Sequence, residues 1–319
     1  MIKKVAVLTS GGDAPGMNAA VRAVIRAGLF NGLEMYVIYN GYRGLVEGDI
    51  HQVNKDFTQD IINRGGTILK SARLPEFKEP EVVAKAVEKL RDFDIDALIG
   101  IGGDGTYRGL LDLSRAGIPV VGIPASIDND VSSTNYTIGF MTALGTICDC
   151  IDKIKDTSNS HQRCSVIEVM GRHCGDLAIY SSIAEGAELC LTAEHPYPEE
   201  RIFKKLRKMK AQKKGHAIVV VSENLYDVRE LATKIEENTG FKTNVEILGH
   251  LQRGGAPCAF DRILASRMAA KAIDCLLEEH AGVVIGSLDD KIVPVDIEEA
   301  LKMPRDTHES LIKLIKELQ

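Results

Sequence analysis

The chain lacks several features that would mark other classes of protein. No window approaches the roughly 18 consecutive apolar residues that a membrane helix needs. The longest bare run is about five, in Ala217-Ile218-Val219-Val220-Val221. There is no basic surplus: 39 Lys and Arg stand against 45 Asp and Glu, for a net charge of −6. A nucleic-acid binder usually carries the opposite balance, so no nucleic-acid partner and no membrane are expected. An anionic ligand would have to be held by particular arginines and backbone amides against an unfavourable overall field. The cysteines number seven, an odd count, and are scattered, so no disulfide framework is expected and the reading is a reducing cytoplasm. Cys148 and Cys150 are two apart on an expected helix and point different ways, and the eight histidines show no metal-ligand spacing. A zinc site is not expected. Low-complexity segments and short repeats are also missing. The apolar start Met1–Leu8 mimics a signal peptide but breaks at Gly11-Gly12-Asp13, so a cleaved signal is not expected.

What is present is the balance of a globular enzyme, 45% apolar and 26% charged residues. At roughly 150 residues per domain, 319 residues predict about two domains. Short apolar runs alternate with helical patterns. Strands are expected at Val5–Thr9, Met35–Tyr39, Ala97–Ile101, Val120–Ile123, Ser165–Met170, Ala217–Val221 and Val245–Leu248. Helices are expected at Met17–Phe30, Val82–Arg91, Phe140–Ile154 and Pro257–Leu277, and from about Gly175 and Asp227. Strand-then-helix repetition with continuous apolar strands predicts parallel sheets covered on both faces. In such folds ligands sit at the carboxyl ends of strands, and the unusual residues cluster there.

Three loops carry candidate chemistry. Thr9–Asn18 follows a strand and opens a helix; its glycines would let the backbone approach a phosphate at a helix start. An ordinary strand-to-helix turn explains it equally well, and it is neither a P-loop nor the dinucleotide fingerprint. Gly102-Gly103-Asp104-Gly105-Thr106 also links a strand to a helix. Its aspartate could hold Mg²⁺ while amides hold nucleotide phosphates, or could simply cap the helix. Such a loop is shared by kinases acting on NAD, diacylglycerol and sugar phosphates. Pro124-Ala125-Ser126-Ile127-Asp128-Asn129-Asp130 puts two carboxylates at a strand's end, able to divide the work of general base and helper, though Asp-Asn-Asp is also good turn chemistry. Three such loops in one chain are harder to explain as three turns.

Together these loops resemble those of the bacterial ATP-dependent 6-phosphofructokinase family (phosphofructokinase A). So do Ser71-Ala72-Arg73, Ser160–Arg163, Glu168–Asp176 and Leu248–Gly255. The resemblance runs from the first strand to at least Arg267 and is weak after about Ala281. It implies transfer of the γ-phosphoryl of Mg-ATP to the 1-hydroxyl of fructose 6-phosphate, giving fructose 1,6-bisphosphate and ADP. By this resemblance Asp128 matches the general base and Asp130 a helper near the metal. Ser126 stands where threonine is usual and keeps the hydroxyl. Gly12 and Arg73 match groups that neutralise the transferred phosphoryl, and Arg172 matches a bridge between the substrates. Asp104 matches the magnesium ligand, with Tyr42, Leu74, Gly103, Gly105, Thr106 and Gly109 about the nucleotide. Ile127, Met170, Gly171, Glu223, His250, Leu251, Gln252 and Arg253 match the sugar-phosphate site, with Arg163 supplied by a neighbouring subunit. An effector site for ADP or phosphoenolpyruvate is matched by Arg22, Arg26, Asp60, Gly186, Glu188, Lys214 and His216. Lys55 and Lys155 replace usual arginines there, and Gln212 a usual basic residue.

Two positions bear on the phosphoryl donor. Pyrophosphate-using relatives typically carry aspartate and lysine where this chain has Gly105 and Ala125, so the small residues favour ATP. One departure bears on the acceptor: Asn244 stands where the family usually holds the sugar's 6-phosphate with arginine. Lys242, two residues earlier on an expected strand, shares its face. The basic stretch Lys204–Lys210 with Lys213 and Lys214 is read as a solvated helix face.

The expectation is an α/β protein of two similar doubly wound domains with mainly parallel sheets and an active-site cleft between them. The ATP-binding large domain is expected at 1–138 plus 251–304 and the sugar-phosphate-binding small domain at 139–250 plus 305–319, with chain crossings near Gly139, His250 and Pro304. A cytoplasmic homotetramer with shared sites is implied. The alternatives are a kinase for another sugar phosphate and a non-catalytic nucleotide sensor, against which an intact base argues. A nucleotide-dependent oxidoreductase would need the missing glycine fingerprint.

Overall fold

The structure, a computed structural model, describes residues 2–318. The chain forms two compact units: Met1–Ile127, Val131–Thr142 and Arg253–Arg305 in one, Asp128–Asp130, Ala143–Gln252 and Asp306–Gln319 in the other. The short carboxylate run Asp128–Asp130 thus groups with the second unit although the residues on both sides of it belong to the first.

The first unit opens with β1 (Lys4–Thr9), α1 (Met17–Phe30), β2 (Glu34–Ile38), α2 (Gly41–Glu47), β3 (Ile50–Val53), α3 (Pro80–Asp92), β4 (Ala97–Gly102), α4 (Asp104–Arg115) and β5 (Val120–Pro124). The second is built from α5 (Phe140–His161), whose first turn belongs to the first unit, then β6 (Cys164–Val169), α6 (Asp176–Glu185), β7 (Leu189–Leu191), α7 (Glu199–Ala211), β8 (Ala217–Ser222), α8 (Val228–Thr239) and β9 (Thr243–Ile247). The chain returns to the first unit for α9 (Ala259–Leu277), β10 (Val283–Leu288), β11 (Lys291–Asp296) and α10 (Ile297–Ala300), and ends in the second with α11 (Glu309–Leu318).

The first sheet has seven strands in the order β11-β10-β5-β4-β1-β2-β3. Its middle is parallel, and every residue of β4 and β5 is buried. Such strands read as unbroken apolar runs because both faces are covered. The two edge strands are antiparallel, a departure from the strand–helix pattern of the sequence. Both are half-exposed, with polar or breaker residues such as His51, Gln52 and Pro294. A proline suits an edge, where its missing N–H breaks no ladder. The order reverses at β1, which lies between β4 and β2. The loops leaving β1 and β4 therefore sit side by side at the switch point where ligands bind in open α/β sheets.

The second sheet is wholly parallel, β7-β8-β6-β9. One face packs Ile202, Phe203 and Leu206 of α7 and Leu231 and Ile235 of α8 onto Val166 and Val219. α11 lies against α6 and buries Ile315.

The basic stretch lies on α7 and just beyond. Lys204, Arg207, Lys208 and Lys210 are exposed, as a solvated face requires, but Lys205 is half-buried near Glu188 and Lys214, and burial lowers its pKa. Helix α5 runs seven residues past the expected Ile154, to His161. Its N-terminus is held by Asp261, which accepts from the N–H groups of Gly139 (3.0 Å) and Thr142 (2.8 Å). Burial pushes that carboxyl's pKa up despite these bonds. Among the described residues no helix is long and apolar enough to cross a membrane.

Candidate active site

In the first unit two glycine loops meet at the switch point. Ser10 N–H donates to the Ile101 carbonyl at 3.0 Å, tying the end of β1 to β4. A Cβ on Gly102 would lie 2.5 Å from the Ser10 carbonyl oxygen, so only glycine allows this approach. Ser71 Oγ donates to the Gly11 carbonyl at 2.9 Å, which brings the Ser71–Arg73 segment onto the same loop. Arg73 is exposed there and Leu74 half-buried. Arg253, matched from sequence to the sugar phosphate, also lies on this loop. Its Nη1 donates to the Asp13 carbonyl at 3.2 Å, and a Cβ on Gly12 would stand 2.7 Å from that nitrogen.

The loop after β4 enters α4 with Gly103 as N-cap and Asp104 in the first turn. A carboxylate there is favoured by the helix dipole. Asp104 and Gly105 are exposed, and a side chain on Gly105 would meet nothing within 4 Å. Beneath them Tyr42 is buried at 5% exposure, stacked on Phe77 with ring centroids 4.1 Å apart. Its hydroxyl donates to the Thr106 carbonyl at 2.5 Å. Gly109 leaves room for that ring, which a Cβ would approach to 2.5 Å. Tyr42, Thr106 and Gly109 thus brace the loop from below, while Gly103, Asp104 and Gly105 present it to solvent. Burial, first of all, holds the Tyr42 phenol well above its ordinary pKa.

The carboxylate loop leaves β5. Ser126 N–H donates to the Ile138 carbonyl at 3.1 Å, and Thr137 Oγ1 to the Ser126 carbonyl at 2.6 Å. Ile127 is buried, Asp128 is 5% exposed, and Asp130 is half-buried. Asn129 between the acids takes a left-handed backbone, φ +54°.

In the second unit the expected sugar-phosphate residues gather where β6, β8 and β9 end. Met170 N–H donates to Gln252 Oε1 at 3.0 Å, and Arg172 N–H to Glu223 Oε1 at 2.8 Å. Gln252 is wholly buried and also donates to the Gly249 carbonyl at 3.0 Å. Gly171 has φ +139°, and a Cβ there would stand 2.2 Å from the Cys174 carbonyl oxygen. These ties leave the Arg172, His250 and Leu251 side chains exposed. Glu168 beneath them has its pKa raised by burial, then by Glu223 and Asp227.

Arg163 is not with this group. It precedes β6, at the opposite end of the strand from Met170, and donates through Nη1 to Asn244 Oδ1 at 3.2 Å. Six strand residues at about 3.3 Å each put roughly 20 Å between the two ends. Lys242 lies just before β9 and is exposed, its carbonyl accepting from Cys164 N–H at 2.9 Å.

The expected effector residues form two groups. In the first unit Arg22, Arg26 and Asp60 line a cavity of about 410 Å³ with Thr58, whose Oγ1 accepts from Arg26 Nε at 2.8 Å. Lys55 is exposed nearby in sequence but is not in the lining. Burial and then Arg26 lower the Arg22 pKa. In the second unit Lys214 pairs with Glu188 at 2.6 Å, and Glu188 also accepts from Ile218 N–H at 2.5 Å. Gly186, Gln212 and Lys205 share that pocket. Lys155 binds the carbonyl and carboxylate of Glu185 at 2.6 and 3.0 Å, and His216 is half-buried.

Sequence reasoning assigned no role to Asn129, Asp176 or His308, which the structure joins, nor to Ser71 or Asp261, and it read Lys205 only as part of a solvated face. Asn129, Asp176 and Ser71 lay within motifs named above; Asp261 and His308 carried no local signal, because their partners are distant in the chain.

The phosphofructokinase family model matches residues 4–276. The chain is 50% identical to the ATP-dependent 6-phosphofructokinase of Vibrio campbellii over 319 residues, and 51% identical to that of Haemophilus influenzae over 321, each covering all of both chains. The stretch after Ala281, weakly matched by motif, is thus spanned by full-length relatives. Phosphofructokinase from Pichia pastoris is a structural neighbour, with a TM-score of 0.89 at 36% identity over 100% of this chain and 37% of that one. The chain belongs to the phosphofructokinase family.

Proposed function

From that membership we propose that the protein is an ATP-dependent 6-phosphofructokinase, passing the γ-phosphoryl of ATP to the 1-hydroxyl of fructose 6-phosphate. The single observation that carries the reading is full-length identity of about half with curated enzymes of that name, together with acids at the positions the chemistry needs. Phosphoryl transfer asks for positioning and charge neutralisation more than covalent catalysis. In this reading Asp128 accepts the proton of the attacking hydroxyl and Asp130 assists it. The Gly12 amide, Arg73 and the Ser126 hydroxyl receive charge on the moving phosphoryl, and Arg172 spans donor and acceptor. Met170, Gly171, Glu223, His250, Leu251 and Arg253 hold the sugar phosphate, with the buried Gln252 bracing Met170 behind them. The open space at Gly105 supports a nucleotide donor.

Asp104 would hold the magnesium that accompanies ATP. Its exposed carboxylate fits an ion that takes one or two carboxylates plus substrate phosphates and keeps several waters. Among the described residues no group of three or more His, Cys, Asp and Glu forms a dedicated cage, consistent with a metal that arrives with its nucleotide. When bound, Mg²⁺ supplies charge neutralisation on the phosphates.

Arg163 supports a shared site. At the far end of β6 it is about 20 Å from the group it should join, a distance its side chain does not span, so we assign its phosphate contact to the site of a neighbouring subunit in a homotetramer. The two effector groups are proposed to take ADP or phosphoenolpyruvate, with lysines giving weaker, non-bidentate contacts than arginines. We assign the enzyme to the cytoplasm.

A coupled ADP-release assay with Mg-ATP and fructose 6-phosphate, on wild type and Asp128→Ser, tests the reading. Loss of the base should lower kcat by about 10²- to 10⁴-fold. Equal turnover by the variant would refute the assignment of the base, and no turnover by a wild type that binds ATP would refute the acceptor.

A further inference from the structure

Asn129, between the two aspartates of the carboxylate loop, is anchored from behind. Its Nδ2 donates to Asp176 Oδ2 at 2.8 Å. Asp176 opens α6, is 3% exposed, and has two further partners: His308 Nε2 at 3.1 Å on the same oxygen and Cys174 Sγ at 3.1 Å on the other. Burial alone would raise this carboxyl's pKa, but the hydrogen bonds from His308, Asn129 and Cys174 outweigh it and hold the group below the ordinary range. An ionised carboxylate only accepts, so the imidazole carries a proton on Nε2.

His308 belongs to the C-terminal segment that returns to the second unit. It sits in a left-handed backbone at φ +55°, a state that needs support from its surroundings. That support is visible. Its N–H donates to Asp306 Oδ1 at 2.8 Å, and its ring lies edge-on to Tyr180 at 5.8 Å. The adjoining Thr307 carbonyl receives His195 Nε2 at 2.6 Å. The ring is therefore delivered to Asp176 by a segment pinned immediately before it.

We propose that Asp176 and His308 are positioning residues for phosphoryl transfer: His308 holds Asp176, Asp176 holds Asn129, and Asn129 fixes the turn that aims Asp128 and Asp130. The inference rests on the reading of those two acids given above. A left-handed residue at the centre of a short turn sets the direction of both flanks, so a loosened anchor moves both carboxylates together. Displacement of a reacting group by about 1 Å can cost up to roughly 100-fold in rate. The arrangement acts through Asn129 and not on either substrate, so turnover should fall while affinity holds.

The test compares His308→Ala, His308→Gln and Asn129→Ala in the full-length protein. His308→Ala should lose about 10- to 100-fold in kcat, with KM for both substrates changed by less than about threefold. His308→Gln, which keeps a donor at similar reach, should recover most of the loss. Asn129→Ala should match His308→Ala, and the double variant should be no worse than the weaker single one. Hydrogen–deuterium exchange of the segment 124–131 should quicken in His308→Ala and return towards wild type in His308→Gln. A folded His308→Ala with a lower melting temperature but unchanged kcat and unchanged loop exchange would reduce the contact to a structural latch and overturn the proposal. Should wild type not phosphorylate fructose 6-phosphate, the reaction reading fails by itself. The exchange measurement needs no substrate and still decides whether His308 controls the loop.

Discussion

The two units build their functional loops by opposite means. In the first, backbones approach where side chains are missing: Gly12 faces Arg253, Gly102 faces Ser10, and Gly109 faces the Tyr42 ring. In the second, buried or half-buried side chains reach back to hold the loop backbone: Gln252 to Met170, Glu223 to Arg172, and Glu194 Oε1 to Gly175 at 2.8 Å. The first device leaves an exposed helix start, where the proposed phosphates would bind. The second leaves the Arg172 and His250 side chains exposed, free to serve the sugar phosphate proposed above. A glycine set against backbone or a packed ring is therefore intolerant of one added carbon, whereas one in open space is not and a side-chain strut can be exchanged at graded cost.

The sharpest test of that account is to place alanine at two glycines that differ in backbone conformation and in surroundings. Gly171→Ala combines a φ of +139° with a carbonyl oxygen 2.2 Å from the new carbon. It should cost about 3 kcal/mol or more, seen as a lowered urea midpoint. Gly105→Ala enters open space in the first turn of α4 and should be neutral to within about 0.5 kcal/mol. Equal midpoints for the two variants would remove the steric account.

A side-chain position should behave more gently. Asn244→Arg gives up the acceptor that Arg163 uses and adds a cation beside it. If the usual phosphate contact is restored, the apparent affinity for fructose 6-phosphate should improve by about 1.5–3 kcal/mol, or roughly 10- to 150-fold. Unchanged affinity in a steady-state titration would separate Asn244 from the phosphate site.

Asp176 sharpens the same comparison through pH. Its folded pKa is depressed, so its contribution to stability is present above the unfolded value of about 3.9 and is lost as pH falls through the folded one. The melting-temperature deficit of Asp176→Asn should be full at pH 7 and shrink below about pH 4; a deficit independent of pH would sink the charge-based account. The smallest effect is expected at Cys164, wholly buried at the start of β6 beside β9. Its thiol is pushed up to about 12, first by burial and then by Glu188. It should stay unlabelled by a maleimide at pH 8 in the native protein and react only on unfolding.

Much of this was legible in the sequence. The central strands of both sheets, α1 and the three functional loops were readable because unbroken apolar runs and glycine-rich turns are local signals. The antiparallel edges β3 and β11 were not, since half-exposed strands containing His51 or Pro294 carry weak periodicity. Seven further residues of α5 escaped because its end, unlike its start, has no breaker. Tyr42 was matched to the nucleotide, yet its ring is 5% exposed and stacked on Phe77; burial of that kind depends on partners far along the chain. Lys205 left the solvated face assigned to its neighbours for the same reason.

By itself the sequence determined the chemistry on offer: two acids on one loop, an acid at a helix start, glycine-rich turns after two strands, and several arginines. These follow from residue type and short spacing, which need no third dimension. Only the tertiary structure decided which of them meet. It put Arg253 onto the loop after β1, set Arg163 at the wrong end of β6 to join Met170, and capped α5 with Asp261, over a hundred residues away in sequence. It also joined Asn129, Asp176 and His308 into one chain of hydrogen bonds. Such pairings are selected by burial, because a polar group removed from water must find a partner wherever the fold brings one within about 3 Å.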